Sequence, residues 1–405
     1  MSVERVVVVG ASLAGLRTVE ALRREGFGGR IVVLGAEKHL PYDRPPLSKE
    51  VLAGKWDPDR TALRKPESYD ELDAEWHLGH PATALDLEGG AIVAGSERFP
   101  FDAAVIATGA EPRALPGTED VTGVHVLRSL EDCLAVRSAF DAGARVAIVG
   151  AGFIGGEVAA TARARGLEVT VIEALPVPLE RSLGADLGRA IAQVHREHGV
   201  DLRLGISVDA LEGDGRVERV RLGDGSACDA DVVVVGIGVV PRTGWLEGSG
   251  VALRDGVVCD ECCRATLESG GVAPGVFAVG DVARWTNALY GESMRIEHWT
   301  HATESADAVA AAILAGDAAQ PYAPIPYFWS DQFDVKIQYA GRARPDDEMR
   351  VVDGAIEDHR FVALYGRDDR VTGVLGLSRP RLVMKYRRMM REGITFEEAV
   401  GTGGT

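Results

Sequence analysis

Four consecutive valines, Val6 to Val9, run into Gly10-Ala11-Ser12-Leu13-Ala14-Gly15 and then into a helical pattern that closes at Gly26. A short apolar run bounded by glycine predicts a strand buried on both faces, and the apolar positions at helical spacing that follow predict an amphipathic helix. The same order returns 140 residues later. There Val146-Ala147-Ile148-Val149 leads into Gly150-Ala151-Gly152-Phe153-Ile154-Gly155 and a helix that closes at Gly166. Each copy returns to a second apolar strand, Ile31 to Leu34 and Val169 to Ile172. Two strand–helix–strand units in one chain predict two parallel sheets, each with a small-residue turn at a strand's carboxyl end.

Between the copies, Ala103 to Gly109 reads as a buried strand followed by a Pro-rich crossing, Glu111 to Gly117. Asp231 to Val240, with Gly236 and Gly238, reads as another buried strand that Pro241 ends, and Val276 to Asp281 as a further one. Thr300 to Gly316 is an Ala-rich helix. From Pro321 the pattern shifts to alternating strands such as Val335 to Tyr339, then to a basic helix from Pro380 to Glu392. The order predicts an α/β protein with two Rossmann-like dinucleotide-binding domains and a smaller α+β C-terminal domain. The first would be discontinuous, 1–110 and 241–320, interrupted by the second at 111–240 and followed by the third at 321–405.

Composition narrows the class. Of 405 residues 46% are hydrophobic and 26% charged, which excludes global disorder. No apolar run approaches the ~18 residues of a membrane span, and no signal-peptide pattern precedes Val6, so a cytoplasmic protein is expected. Lys and Arg number 44 against 61 Asp and Glu, a net charge of -17 that would repel a phosphate backbone, and nucleic acid is not an expected partner. Five cysteines imply no disulfide framework. Cys259-Asp260-Glu261-Cys262 is a C-x-x-C pair, but it follows a short strand instead of opening a helix, which favours a structural role. A four-cysteine zinc site would need a second pair, whereas Cys133 and Cys228 are isolated, and no metal is expected.

The chemistry concentrates at the two turns. Gly150-x-Gly152-x-x-Gly155 permits a tight turn, lets backbone approach a pyrophosphate, and opens a helix whose N-terminus favours that anion. Glu173 follows the last glycine by eighteen residues at the end of the next strand, where its carboxylate would accept a ribose 2'-hydroxyl and repel a 2'-phosphate. No basic residue follows until Arg181, so NADH is favoured over NADPH. In the first turn Ser12 stands at the middle glycine position, and the candidate ribose acceptor is Glu37, twenty-two residues after Gly15.

Further segments carry a resemblance. Pro41 to Lys49 (PYDRPPLSK), Ala107-Thr108-Gly109, Ala278-Val279-Gly280-Asp281, Arg295-Ile296-Glu297-His298-Trp299 and Phe328-Trp329-Ser330-Asp331-Gln332 occur in the order and spacing of one family. Over nearly its whole length the chain resembles ferredoxin reductases of the rubredoxin reductase and putidaredoxin reductase type. The resemblance implies a glutathione reductase-like fold, tightly bound FAD and exchangeable NADH. It also implies electron transfer to a small acidic iron–sulfur ferredoxin that supplies a monooxygenase or dioxygenase. By the same resemblance Gly10, Ser12, Leu13, Ala14 and Gly15 would hold FAD together with Glu37, Arg44, Ala82, Thr108, Gly109 and Arg128. Asp281 would bond the ribitol, the Trp299 backbone and the helix N-terminus after it would face the flavin N1 and O2 edge, Glu297 and His298 would also bind FAD, and Trp329 would pack beside the ring. Gly150, Gly152, Phe153, Ile154, Gly155, Glu173 and Gly238 would hold NAD. Lys49 would lie beside the flavin N5, where a cation stabilises developing charge, and Glu157 would meet both Lys49 and the nicotinamide amide.

Two rivals follow from the same motifs. A flavin disulfide reductase or NADH oxidase would carry cysteines early, and 43–52 has none. An NADH-sensing flavoprotein resembling apoptosis-inducing factor would share the fold. An acidic ferredoxin must dock where the surface charge reverses, and Arg379 to Arg391 holds six basic residues and no acid. At about 100° per residue Leu382, Val383, Tyr386, Met389 and Met390 share one arc, opposite Arg381, Lys385, Arg387, Arg388 and Arg391. Docking is therefore expected at Arg387, Arg388 and Arg391, with Arg64 and Lys65 or Arg342 and Arg344 as alternatives. Nothing in the sequence fixes an oligomeric state.

Overall fold

Val6 to Val9 are all buried, as four β-branched residues in a row require, and their strand, Arg5–Val9, lies inside a parallel sheet. The architecture is that of a computed structural model, which describes residues 3–403. Val6 pairs with Ile31 of Arg30–Gly35 on one side and with Ala103 of Ala103–Ile106 on the other. Ala74–Leu78 and Val272–Ala278 extend the parallel order outward, and further strands, most of them paired antiparallel, bring the sheet to nine around this parallel centre. Each fully buried valine contributes about 1.5–3 kcal/mol. The helices Leu13–Arg24 and Trp299–Ala315 pack against one another in the same unit, which comprises 3–43, Ala62–Glu111 and Val240–Phe328.

The second unit comprises Arg44–Thr61, Pro112–Val239 and 329–403. Its parallel sheet is ordered Asp201–Leu204, Val169–Glu173, Val146–Val149, Val232–Val235, Val124–His125, and Val146 pairs with Val169 and Val232. The helix Phe153–Ala164 follows the central strand. An antiparallel sheet built on Val335–Gly341, Arg370–Leu377, Arg360–Arg367 and Glu348–Ala355 carries the helix Pro380–Arg391. In both parallel sheets the strand order switches sides at the strand that precedes the glycine turn, the position at which such sheets bind ligands.

Three expected strands are shorter than their apolar runs. The parallel-sheet pairing stops at Ile106, not Gly109, at Val235, with Val239–Pro241 a separate short strand, and at Ala278, with Gly280–Val282 forming a single 3-10 turn. The first two stop for one reason: the next carbonyl leaves the ladder to abut the neighbouring glycine turn. A Cβ at Gly10 would lie 2.2 Å from the Ala107 oxygen, and one at Gly150 2.4 Å from the Gly236 oxygen. Hydrophobic pattern records burial, not pairing, and does not register that departure.

Candidate functional site

Gly10 and Gly150 have φ of +124° and +102°, which side-chain-bearing residues rarely adopt. The middle position differs in kind. Gly152 caps its helix from extended backbone, and a Cβ there would meet nothing closer than 3.8 Å. The fold does not need glycine at that place, which accounts for Ser12 standing at the equivalent position before Leu13–Arg24. A glycine that the protein leaves open at a helix N-terminus fits close approach by a pyrophosphate. Gly152→Ala should therefore leave thermal stability within about 0.5 kcal/mol while weakening NADH binding at least about tenfold. Gly150→Ala should fold poorly because both conformation and space forbid it. Equal melting losses in the two variants would contradict this division.

Glu173 is the last residue of its strand, with one carboxylate oxygen accepting from the Ala151 N–H at 2.7 Å and the other from the Leu175 N–H at 2.8 Å. The carboxylate is thus fixed to the backbone of the glycine turn, half-buried beside it. Of the other NAD candidates in this unit, Phe153 and Ile154 open the helix, with Ile154 exposed, and Gly238 accepts from the Arg113 N–H at 2.9 Å. In the first unit Glu37 accepts from the Tyr42 hydroxyl.

Lys49 and Glu157 meet as the resemblance implies. The Lys49 ammonium donates to Glu157 Oε2 at 2.7 Å, and both side chains are largely buried. Burying two charges is favourable only where the remaining lone pairs find donors. Here they do: Ser48 Oγ also donates to Oε2, while Ser330 Oγ at 2.9 Å and the Asp331 N–H at 3.3 Å donate to Oε1. Thr161 Oγ1 donates to the Ser48 carbonyl at 2.7 Å, tying 44–61 to the Phe153–Ala164 helix. Sequence reading missed Ser48 and Ser330 as partners, although each lies inside a segment already singled out. Arg44, in the same unit, donates to the Arg128 carbonyl, and Trp329 is half-buried.

The remaining flavin candidates belong to the first unit. Ala14 and Gly15 are buried in the first turn of their helix, and Thr108 Oγ1 donates to the Arg242 carbonyl at 2.8 Å. Gly109 accepts from the Arg242 N–H at 3.0 Å. Arg295 joins two others, donating to the Asp281 carbonyl at 3.1 Å and to Glu297 Oε1 at 2.7 Å. His298 caps a 17-residue helix and Trp299 opens it, its indole N–H donating to Asp43 at 2.8 Å. Ala82 is half-buried.

Cys259, Cys262 and Cys263 are free and buried, and burial pushes all three thiols up in pKa, away from the thiolate form. Asp260 closes the turn, accepting from the Cys262 and Arg264 N–H groups at 2.9 and 3.0 Å. Burial likewise raises the Cys133 thiol to about 11. Replacing Cys259 and Cys262 by Ser should leave NADH-dependent reduction of ferricyanide within about twofold; its loss with cofactor still bound would restore a dithiol role.

The helix Pro380–Arg391 buries Val383 and Tyr386 and keeps Leu382, Met389 and Met390 half-buried. Arg381, Met384, Arg388 and Arg391 form one exposed stripe, with Met384 44% exposed, while Arg387 is half-buried. No helix among the described residues is long and apolar enough to cross a membrane.

Residues 4–306 match the pyridine nucleotide-disulphide oxidoreductase family and 327–401 the reductase C-terminal family. The chain is 33% identical over 402 residues to rhodocoxin reductase of Rhodococcus erythropolis, covering 98% of this chain and 92% of that protein. It is 36% identical over 395 residues to the ferredoxin–NAD(+) reductase component of the p-cumate 2,3-dioxygenase system of Pseudomonas putida, covering 96% and 94%. It superposes on the covalent putidaredoxin reductase–putidaredoxin complex with a TM-score of 0.90 at 32% identity, covering 96% of this chain and 93% of that one.

Proposed function

The chain belongs to the pyridine nucleotide-disulphide oxidoreductase family, and from that premise we propose that it takes electrons from NADH and passes them, through FAD, to an iron–sulfur ferredoxin serving an oxygenase. Bound FAD supplies the exchange of a two-electron hydride for single electrons, which no side chain can perform. The repeated glycine turn carries the reading, because two turns of one geometry call for two dinucleotides and only NADH need exchange. Residues 1–110 with 241–320 would form the FAD domain, 111–240 the NAD domain and 321–405 the third domain.

The turn Gly10 to Gly15 would bind the FAD pyrophosphate, with Glu37, Arg44, Ala82, Thr108, Gly109, Arg128, Asp281, Glu297, His298, Trp299 and Trp329 completing that cofactor's contacts. Gly150 to Gly155 would bind the NADH pyrophosphate, with Gly238 beside it and Glu173 selecting the unphosphorylated ribose. Lys49 and Glu157 would orient the nicotinamide amide and hold positive charge where the flavin accepts negative charge. No side chain need act as a general base. The raised thiol pKa values of Cys259 and Cys262 weigh against a disulfide reductase. We place the enzyme in the cytoplasm, where NADH is regenerated.

The ferredoxin would be acidic and dock on the helix Pro380–Arg391, since the rest of a chain of net charge -17 repels it. The exposed stripe selects Arg381, Arg388 and Arg391 for the test. Steady-state oxidation of NADH with added ferredoxin should show turnover well above that with oxygen alone, which separates a reductase from an oxidase or a sensor. Reversing the three arginines to Glu should raise the ferredoxin Km roughly tenfold and flatten its salt dependence, with the ferricyanide rate unchanged. An unaltered ferredoxin response would move the docking site elsewhere.

A further inference from the structure

Behind the Lys49–Glu157 pair lies a chain of buried polar side chains that the reaction as described does not use. Glu157, Ser330, Gln332 and His195 are 4%, 0%, 2% and 3% exposed. His195 Nε2 lies 2.8 Å from Gln332 Oε1, Gln332 Nε2 donates to Ser330 Oγ at 3.2 Å, and Ser330 Oγ donates to Glu157 Oε1 at 2.9 Å. All four residues belong to one unit, and His195 sits on the helix Ala185–Glu197.

The direction of these bonds is set at the far end. His195 Nδ1 is buried with no partner among the described residues. A bare lone pair there is tolerable, whereas a buried N–H without an acceptor is costly, so the ring proton sits on Nε2 and donates to Gln332 Oε1. That fixes the amide with its NH2 toward Ser330. The NH2 occupies a lone pair of the Ser330 hydroxyl and turns its proton onto Glu157. Every donor then points at the carboxylate. An amide cannot pass a proton along at ordinary cost, so the chain orients and does not conduct.

The packing is built around this chain. Gly156 immediately precedes Glu157, and a Cβ there would lie 2.6 Å from Gln332 Oε1 and 2.7 Å from its Nε2. Phe333, in left-handed backbone at φ +56°, stacks on His198 with ring centroids 4.0 Å apart and meets His195 edge-on at 5.1 Å. Neither the glycine fingerprint nor the ion pair requires these features.

We propose that Gln332, oriented by His195, is a positioning residue for the reaction with NADH: it acts through Ser330 to hold the Glu157 carboxylate, and with it Lys49, in a single geometry. This rests on the reading that Glu157 and Lys49 meet the nicotinamide. Gln332→Met in the holoenzyme should lower the rate of flavin reduction at saturating NADH about tenfold, with less than twofold change in the NADH dissociation constant and unchanged FAD content. Ser330→Ala should do the same, Ser330→Thr should retain the rate, and Gln332→Met added to Ser330→Ala should have no further effect. Multiplying losses in the double variant, as two independent structural defects would give, overturn the proposal. Gly156→Ala keeps every polar group and displaces only a flexible side-chain end, so it should fold and reproduce the Gln332→Met loss even if that variant does not fold. A normal rate in Gly156→Ala also overturns the proposal.

A measurement without turnover stands beside these. In protein labelled with 15N-histidine, the His195 side-chain signals, assigned by their loss in His195→Asn, should report a neutral ring protonated at Nε2; protonation at Nδ1 instead would refute the orientation. Were Glu157→Leu itself to leave flavin reduction unchanged, the role of the ion pair would fall; a loss there without one in Gln332→Met defeats only the present inference.

Discussion

Combining Lys49→Met with Glu157→Leu should restore most of the stability that either change alone removes, while restoring none of the activity. Each single substitution strands a buried charge: Glu157 without Lys49 keeps only neutral donors, and Lys49 without Glu157 has no carboxylate within the 2.7 Å it now spans. Breaking a buried pair from one side costs about 3–5 kcal/mol, whereas removing both partners in favour of apolar groups is often close to neutral. Denaturant unfolding of the four proteins should thus give a coupling of at least about 2 kcal/mol. Rates of NADH-dependent ferricyanide reduction should fall by on the order of a hundredfold in all three variants, since misplacing preorganised charge costs that much regardless of stability. A double variant that regains both would show that the pair is scaffolding. Single variants with full rates would remove it from the reaction.

The second large effect concerns coenzyme choice. Glu173→Gln should cut the preference for NADH over NADPH by about tenfold to a hundredfold in kcat/KM, because a charge-assisted bond to the ribose and repulsion of a 2'-phosphate both disappear. The amide oxygen can still accept from the Ala151 N–H, now bonded at 2.7 Å, while the amide NH2 cannot accept from the Leu175 N–H that Glu173 now holds at 2.8 Å, so the turn keeps one of its two anchors. Glu173→Ala removes that acceptor too and should additionally weaken NADH itself. The comparison separates selection from turn-building. An unmodified protein that uses both coenzymes equally, or a Gln variant with the parent ratio, would dissociate Glu173 from the ribose.

Ser48, Ser330 and Gln332 show where legibility ended. Each lies in a segment that the sequence marks by resemblance, yet nothing marks Ser48 and Ser330 as donors to one carboxylate or Gln332 as a donor to Ser330. Ser48 is 109 residues from Glu157 and Ser330 is 173, and a serine has no periodicity that announces a hydrogen bond. His195 carried no signal at all, being one of nine histidines in the chain and lying on an ordinary amphipathic helix. The expected strand at 231–240 failed differently: Val232 to Val235 are buried as supposed, Val239 and Val240 only half so, because Gly236 must leave the ladder to meet Gly150.

By itself the sequence determined what short-range rules determine. A run of valines, a glycine that must take positive φ, and a helix that starts just after it lie within ten residues, so Val6 to Gly15 and Val146 to Gly155 announced two strand–turn–helix units of one geometry. Tertiary structure decided which distant groups share an atom. It put 44–61 with the second sheet, closed Ser48, Lys49, Ser330 and the Asp331 N–H onto Glu157, and turned Met384 outward between arginines. The division is physical: backbone conformation and burial are properties of neighbouring residues, whereas satisfying a buried charge needs donors from wherever the packed chain brings them.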